Sequence, residues 1–202
     1  NAVKLKSVHD NPPGKTMTIA CEKGEQKETK LIRNLLVGEV WLCAGQSNMA
    51  GRMGRAGSSR HFPPDSIETA DFLALRQMLS PKQEWLVCTP ESAVWFKKVC
   101  FFFARRLQSE ILVPVGIINA ASGGSKIESW LNEIPGERGR HYDAMIAPLE
   151  GFGLRGALWY QGESNERDGR AYQPKLESLI TGWRKAWGQG DFPVYFVQLP
   201  GI

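Results

Sequence analysis

Histidine is scarce in this sequence, with only His9, His61 and His141, each far from the others along the chain. The four cysteines, Cys21, Cys43, Cys88 and Cys100, form no Cys-x-x-Cys pair, so neither residue type offers the spacing of a zinc site and no metal is expected. Buried free thiols are the preferred reading of the cysteines over disulfides. No run of five like charges occurs, and a net charge of +4 is too mild for a nucleic-acid surface. The longest apolar run, Val99 to Ala104, is far shorter than the ~20 residues that cross a bilayer. Neither nucleic acid nor a membrane is therefore an expected partner. Phosphate-binding loops are missing too, because Gly51-x-x-Gly54-x-x-Gly57 lacks the dinucleotide spacing and Ser125-Lys126 the P-loop spacing, so no nucleotide cofactor is expected.

What remains is an apolar content of 42% over 202 residues, enough for one full globular domain and part of another. Residue 1 is Asn rather than Met, and Ala2 to Val8 already alternate like a strand, so the chain is expected to begin inside a larger protein. Residues 1–36 read as short strands, Val3–Val8, Lys15–Cys21 and Glu28–Leu36, separated by turns at Pro12-Pro13-Gly14 and Lys23-Gly24-Glu25. These strands are expected to close a β-domain.

From residue 37 the texture changes. Apolar runs at Val37–Ala44, Val113–Ala120, Leu154–Tyr160 and Pro193–Leu199 alternate with amphipathic segments. Phe96, Val99, Cys100, Phe103 and Leu107 share one helical face, as do Tyr172, Leu176, Leu179, Ile180, Trp183 and Trp187. Asp168 is the expected N-cap of the second helix and Gly188 its stop. Apolar strands joined by crossover helices predict an α/β fold, a doubly wound parallel sheet over residues 37–202. Residues 51–64, rich in Gly, Arg, Ser and Pro, read as a long loop or lid.

Three of these strands end in glycine and polar residues: Gly45-Gln46-Ser47-Asn48-Met49, Ala121-Ser122-Gly123-Gly124-Ser125, and Gln161-Gly162-Glu163-Ser164-Asn165. In an open α/β sheet such tips meet in one crevice. Acyl transfer needs a nucleophile, donors aimed at a developing oxyanion, and a base. Ser47 supplies the first, although a plain helix N-cap is the competing reading. The backbone of Gly123 or Gly124, and the side-chain amide of Gln161 or Asn165, supply the second. Gly-x-Ser-x-Gly is not matched, since the fifth residue is Met49, and the lipase-type α/β-hydrolase reading loses its support.

With Val37–Met49, Cys88–Ser92, Val113–Ile118, Gly123–Trp130, Met145–Leu149 and Trp159–Asn165 in this order, the sequence resembles the sialate O-acetylesterase family. That family is a branch of the SGNH (GDSL-like) hydrolases, related to the acetylxylan esterases of the sixth carbohydrate esterase family. The resemblance implies a Ser-His-Asp esterase that removes O-acetyl groups from sugars through an acyl-serine, with no cofactor. It implies that residues 1–36 end a β-sandwich domain, and that the catalytic His and Asp lie beyond Ile202, on a missing C-terminal segment or a second subunit of the same protein. His61 and His141 read as surface or packing residues and His9 falls in the β-segment.

The expected site therefore comprises Ser47 as nucleophile, Gly124 with Gln161 or Asn165 around the oxyanion, and Gln46, Gly123, Glu163 and Arg52 against substrate. Glu163 either orients Ser47 or a substrate hydroxyl, or holds its loop by accepting backbone N–H bonds. Arg52, Arg55 and Arg60 can pair with a sialic-acid carboxylate, against the plainer reading of a solvated loop. Trp130 and Trp159 are candidates for stacking on sugar rings or for packing. The substrate expected is an O-acetylated sialic acid, with acetylxylan or another acetylated glycan as the alternative, and the location secreted, periplasmic or lysosomal. A non-catalytic sugar-binding module on a degenerate hydrolase is the rival from a different class.

Overall fold

The computed structural model describes residues 15–23, 26–54, 67–82, 84–133 and 138–200. The chain divides into two units, Asn1–Gly38 and Glu39–Ile202. In the first, β1 (Lys15–Lys23) and β2 (Gln26–Leu35) pair antiparallel, from Lys15 opposite Leu35 to Lys23 opposite Gln26. The expected strand Val3–Val8 and the turn at Pro12-Pro13-Gly14 lie outside the described residues.

The second unit runs β3 (Glu39–Gly45), the single-turn helix α1 (Ser47–Ala50), β4 (Phe72–Leu79), β5 (Trp85–Cys88), the short α2 (Pro90–Ala93), α3 (Lys98–Ile111), β6 (Val115–Ala121), β7 (Gly156–Tyr160), α4 (Tyr172–Trp187) and β8 (Val194–Phe196). Between β6 and β7 lie a 3-10 turn at Ile127–Trp130 and further short turns at Tyr142–Leu149; a 3-10 segment, Glu163–Ala171, leads into α4. The six strands form one sheet in the order β5-β4-β6-β3-β7-β8, parallel except for β5 at its edge.

β3 is central and buried on both faces, which is why it reads as a nearly unbroken apolar run. Because successive side chains alternate in direction, Leu42 and Ala44 join one core with Trp159 of β7 and Leu179, Trp183 and Trp187 of α4. Trp41 and Cys43 join the other with Cys100, Phe101 and Ala104 of α3. Each large side chain buried in this way contributes about 1.5–3 kcal/mol. The buried stripe of α3 centres on Phe101 and Ala104, with Val99, Phe103 and Leu107 only partly covered, so it is rotated from the expected face. α4 stops at Gly188, whose φ of 61° turns the chain out of the helix. Its N-cap is Ala171 rather than the expected Asp168, whose carboxylate is engaged elsewhere.

β4 and β5 were not among the expected strands. Arg76 and Gln77 interrupt the apolar pattern of β4, yet Gln77 is buried, donating to the Trp95 carbonyl at 3.2 Å and accepting from the Lys97 N–H at 2.8 Å. Cys43, Cys88 and Cys100 are buried free thiols, and burial raises the Cys88 thiol to about 11. The side chain of Cys21 lies outside the described ones.

β3 has β6 on one side and β7 on the other, so the chain crosses in opposite directions from this strand. The crevice beyond its carboxyl end is a topological switch point, where ligands enter open α/β sheets.

Candidate active site

The crevice is built on Gly45, the last residue of β3. Its φ is +140°, and a Cβ placed there would lie 2.1 Å from the Tyr160 carbonyl oxygen, so only glycine lets β3 and β7 approach this closely before the turn. Two backbone bonds then tie the three tips together. The Gln46 N–H donates to the Tyr160 carbonyl at 3.0 Å, and the Ser122 N–H donates to the Gly45 carbonyl at 3.0 Å. Three turns spread over 120 positions of the chain, from Gly45 to Asn165, are thus stitched side by side.

Ser47 is the first residue of α1, with Gln46 in the cap position and making no side-chain cap bond, so the N-cap reading of Ser47 does not hold. Ser47 and Asn48 are exposed, whereas Met49 is buried beneath them against Cys100, their sulfurs 3.5 Å apart. Lys97 Nζ donates to the Ala50 carbonyl at 2.9 Å and the Asn48 side-chain amide donates to Glu163 Oε1 at 2.5 Å. The turn carrying Ser47 is therefore held from below, from its end and from its side, with the hydroxyl-bearing residue left facing solvent. Its N–H, at the start of the helix, has no partner among the described residues.

The second tip presents donors of the same kind. Gly123 and Gly124 are exposed, Gly124 has φ +69°, and nothing lies within 4 Å of where either Cβ would stand. Beyond them Ser125 Oγ donates to the Ser122 carbonyl at 2.8 Å and accepts from Trp130 Nε1 at 3.0 Å, anchoring the turn, while neither glycine N–H has a partner among the described residues.

The third tip departs from expectation. Gln161 is buried; its amide nitrogen donates to Asn165 Oδ1 at 2.8 Å and the Ser125 carbonyl at 3.0 Å, with Gln46 Oε1 at 3.1 Å, and its oxygen accepts from the Tyr172 hydroxyl at 2.7 Å. Asn165 is buried too, donating to Asp168 at 2.8 Å and Glu128 at 3.0 Å. Both amides spend their protons inside the protein, so neither offers the free donor that an oxyanion needs, and both instead brace the loop. Gln46 has the same character. It is 4% exposed, and its Oε1 also accepts from the Ser164 N–H at 3.2 Å, which makes it a strut between two tips rather than a substrate contact. Glu163 holds its loop through the Asn48 side chain instead of backbone N–H groups, and its Oε2 is buried without a partner among the described residues.

Trp130 and Trp159 are core residues, 0% and 1% exposed, packed edge to face on one another and unable to stack on a sugar. His141 lies with its ring 4.8 Å from that of Trp130 and its Nδ1 2.8 Å from Ser129 Oγ, and burial followed by the charge of Arg140 lowers its pKa. Its contacts are with the Ser125–Trp130 side of the fold and none is with Ser47. His9, His61, Arg55 and Arg60 lie outside the described residues. Of the expected loop over residues 51–64, Gly51 to Gly54 are described, and they are pinned against residues 94–98 instead of being free.

Three partners escaped the sequence pattern: Asn48, Lys97 and Tyr172. Tyr172 looks like one more apolar-face residue of α4, but its hydroxyl accepts from Trp159 Nε1 at 3.0 Å while donating to Gln161. Behind Asn165, Lys175 bridges Glu128 and Asp168, 2.7 Å from the latter. Hydrogen bonds from Lys175, then Asn165, hold Asp168 below the usual carboxylate range; for Glu128 burial pushes upward but the same two donors outweigh it. Asp168 and Glu128, lowered in the folded state, add stability that is complete above their ordinary values of about 4 and is lost as pH falls through the lowered ones. Lys175 is raised, chiefly by Asp168, so its share is complete below about 10.4 and is lost as pH climbs through the raised value. Lys175→Met should consequently move the acid unfolding midpoint to higher pH, read by tryptophan fluorescence; an unchanged midpoint would show that the bridge adds nothing.

Residues 37–201 match the family model described as carbohydrate esterase, sialic acid-specific acetylesterase. Human sialate O-acetylesterase is 28% identical over 218 residues, covering 85% of this chain and 41% of the relative. A probable carbohydrate esterase of Arabidopsis thaliana is 29% identical over 189 residues, covering 80% of this chain and 68% of the relative. Among solved structures, a carbohydrate acetylesterase from Xanthomonas citri superposes with a TM-score of 0.76 at 31% identity, covering 91% of this chain and 46% of that one. The chain thus spans less than half the length of the human and bacterial proteins it matches.

Proposed function

This chain belongs to the carbohydrate esterase family of sialic acid-specific acetylesterases, and from that premise we propose that it carries the nucleophile and oxyanion site of a serine esterase that removes O-acetyl groups from sugars, sialic acids first among them. The observation that carries the reading is the exposed Ser47 on a rigidly held turn, beside the open N–H groups of a neighbouring glycine tip.

Ser47 Oγ attacks the acetyl carbonyl as a base takes its proton. Charge builds on the carbonyl oxygen, where the N–H groups of Ser47 and Gly124, with Gly123 beside it, are available to receive it. A well-aimed donor of this kind is worth about 2.7–4 kcal/mol in the transition state. Collapse of the tetrahedral intermediate expels the sugar hydroxyl, which recovers the proton, and leaves acetyl-Ser47. Water then releases acetate by the reverse sequence of proton transfers.

The base in this reading is a histidine with an aspartate partner beyond Ile202, on the same polypeptide or a second subunit. Two observations favour it: His141 is committed to Ser129 and Trp130, and the outermost strand β8 leaves Tyr195 and Phe196 more than half exposed. A sheet edge with exposed aromatic residues calls for covering polypeptide. Acetylxylan or another acetylated glycan is the second reading, since the Arabidopsis relative is named only as a probable carbohydrate esterase. A secreted, periplasmic or lysosomal location goes with either substrate.

In the full-length protein, a fluorophosphonate probe is expected to label Ser47, located by peptide mass spectrometry, and acetate release from an O-acetylated sialic acid is expected to exceed that from acetylxylan. Absence of labelling would favour a sugar-binding module over an enzyme.

A further inference from the structure

The glycine tip beside Ser47 cannot orient itself. Gly123 and Gly124 carry no side chain to hold them, and nothing lies within 4 Å of where either Cβ would stand. Their N–H groups therefore point wherever the two ends of the turn are fixed. The leading end is tied to the sheet, where the Ser122 N–H donates to the Gly45 carbonyl at 3.0 Å. The trailing end, Ser125 to Ile127, lies past the end of β6 and is held by side chains. The Gln161 amide donates to the Ser125 carbonyl at 3.0 Å, and the Ile127 N–H donates to Asn165 Oδ1 at 2.9 Å.

Asn165 is the centre of that second anchor. Besides the Ile127 N–H, its Oδ1 accepts from the Gln161 amide at 2.8 Å, while its own amide nitrogen donates to Asp168 at 2.8 Å and to Glu128 at 3.0 Å. Both protons and both lone pairs of the carboxamide are thus engaged inside the protein, in a residue only 5% exposed. Turned over, the amide would set its N–H groups against the Ile127 and Gln161 donors. The two carboxylates hold it the right way round, and carboxylates that share one partner repel unless a cation lies between them. Lys175 Nζ supplies the cation, 2.7 Å from Asp168 and paired with Glu128 as well. The Ile127–Trp130 turn, the Glu163–Ala171 segment and the first turn of α4 thereby converge on one side chain.

We propose that Asn165 is the positioning residue of the oxyanion tip: clamped by Glu128, Asp168 and Lys175, it fixes the trailing end of the Gly123–Gly124 turn and with it the aim of the N–H groups that receive the acetyl oxygen. The proposal rests on the esterase reading above and deepens it by naming what holds the oxyanion donors in place. Ile127 stands only three residues past Gly124, so a shift at Asn165 reaches the glycines through a short stretch of backbone. Such donors act when they are aimed at the place where charge develops, and a misplacement of about 1 Å costs about a hundredfold in rate. The ground state gains little from them, so the loss falls on kcat rather than on KM.

Lys175→Met keeps most of the side-chain stem and removes the cation. In the full-length protein this variant is expected to hydrolyse p-nitrophenyl acetate with kcat about tenfold lower and KM within about twofold of the wild type. Lys175→Arg should restore most of kcat, because a guanidinium also bridges two carboxylates. Hydrogen–deuterium exchange read by mass spectrometry should quicken in the peptide carrying the Ile127 amide and stay unchanged in β3 and α3. Asn165→Ala removes the centre of the anchor and should lower kcat about a hundredfold. An unchanged kcat in Lys175→Met, a loss carried by KM, a loss that Lys175→Arg does not recover, or unaltered exchange at Ile127 overturns the proposal, whatever Asn165→Ala does to the fold. Failure of the esterase reading looks different: the wild type then releases no acetate and Ser47 stays unlabelled by the fluorophosphonate, while exchange at Ile127 still responds to Lys175→Met.

Discussion

Replacing Ser47 with alanine in the full-length protein is expected to cut hydrolysis of p-nitrophenyl acetate by about a thousandfold or more while leaving the fold intact. The size follows from the covalent route: without the hydroxyl no acyl-enzyme forms, and what remains is whatever the oxyanion donors do for direct attack by water. The intact fold follows from position. Ser47 is exposed and its side chain makes no hydrogen bond among the described residues, so truncation to alanine leaves no cavity and orphans none of them. Stopped assays with both proteins at matched concentration, and circular dichroism of each, check the pair of expectations. Turnover retained within tenfold would remove Ser47 from the mechanism.

The second large effect is on stability. Gly45→Ala should cost about 4 kcal/mol or more, at the exceptional end for single substitutions, and lower Tm by roughly 10 °C given about 2–4 °C per kcal/mol in a chain of this size. The Cβ would stand 2.1 Å from the Tyr160 carbonyl oxygen and 2.7 Å from its carbon, in β7 backbone that pairs with β3 and cannot swing aside as a flexible side chain would. Gly124→Ala is the control. Its φ of +69° carries about 1–2 kcal/mol of strain for alanine, but the Cβ enters open space. Similar losses from both, measured by thermal and urea unfolding, would show that backbone conformation rather than the close approach to β7 demands glycine at position 45.

The sheet was readable wherever strands are buried on both faces, since β3, β6 and β7 are then apolar along nearly their whole length. β4 was hidden by Gln77, a polar residue in the core that is tolerable only because the Trp95 carbonyl and the Lys97 N–H saturate it from twenty residues away. Asp168 had the form of an N-cap, yet it faces Lys175 and Asn165, because a buried amide and an ammonium compete more strongly for a carboxylate than the first turn of α4 does. Trp95 attracted no attention in the sequence, where nothing distinguishes an aromatic residue held outward from one packed within.

The four apolar strands β3, β6, β7 and β8 and the two long helices in their order, the sharp turn offering Ser47 and the family membership were written in the linear pattern, because burial period, turn residues and motif spacing are properties of neighbours along the chain. The tertiary structure alone decided that the Gln161 and Asn165 amides turn inward, that Gln46 is a strut, and that Arg52 rests on Trp95. A side-chain amide or guanidinium points to whichever partners can saturate it, and some of those partners lie 36 to 115 residues away, where only the closed sheet brings them within a hydrogen bond.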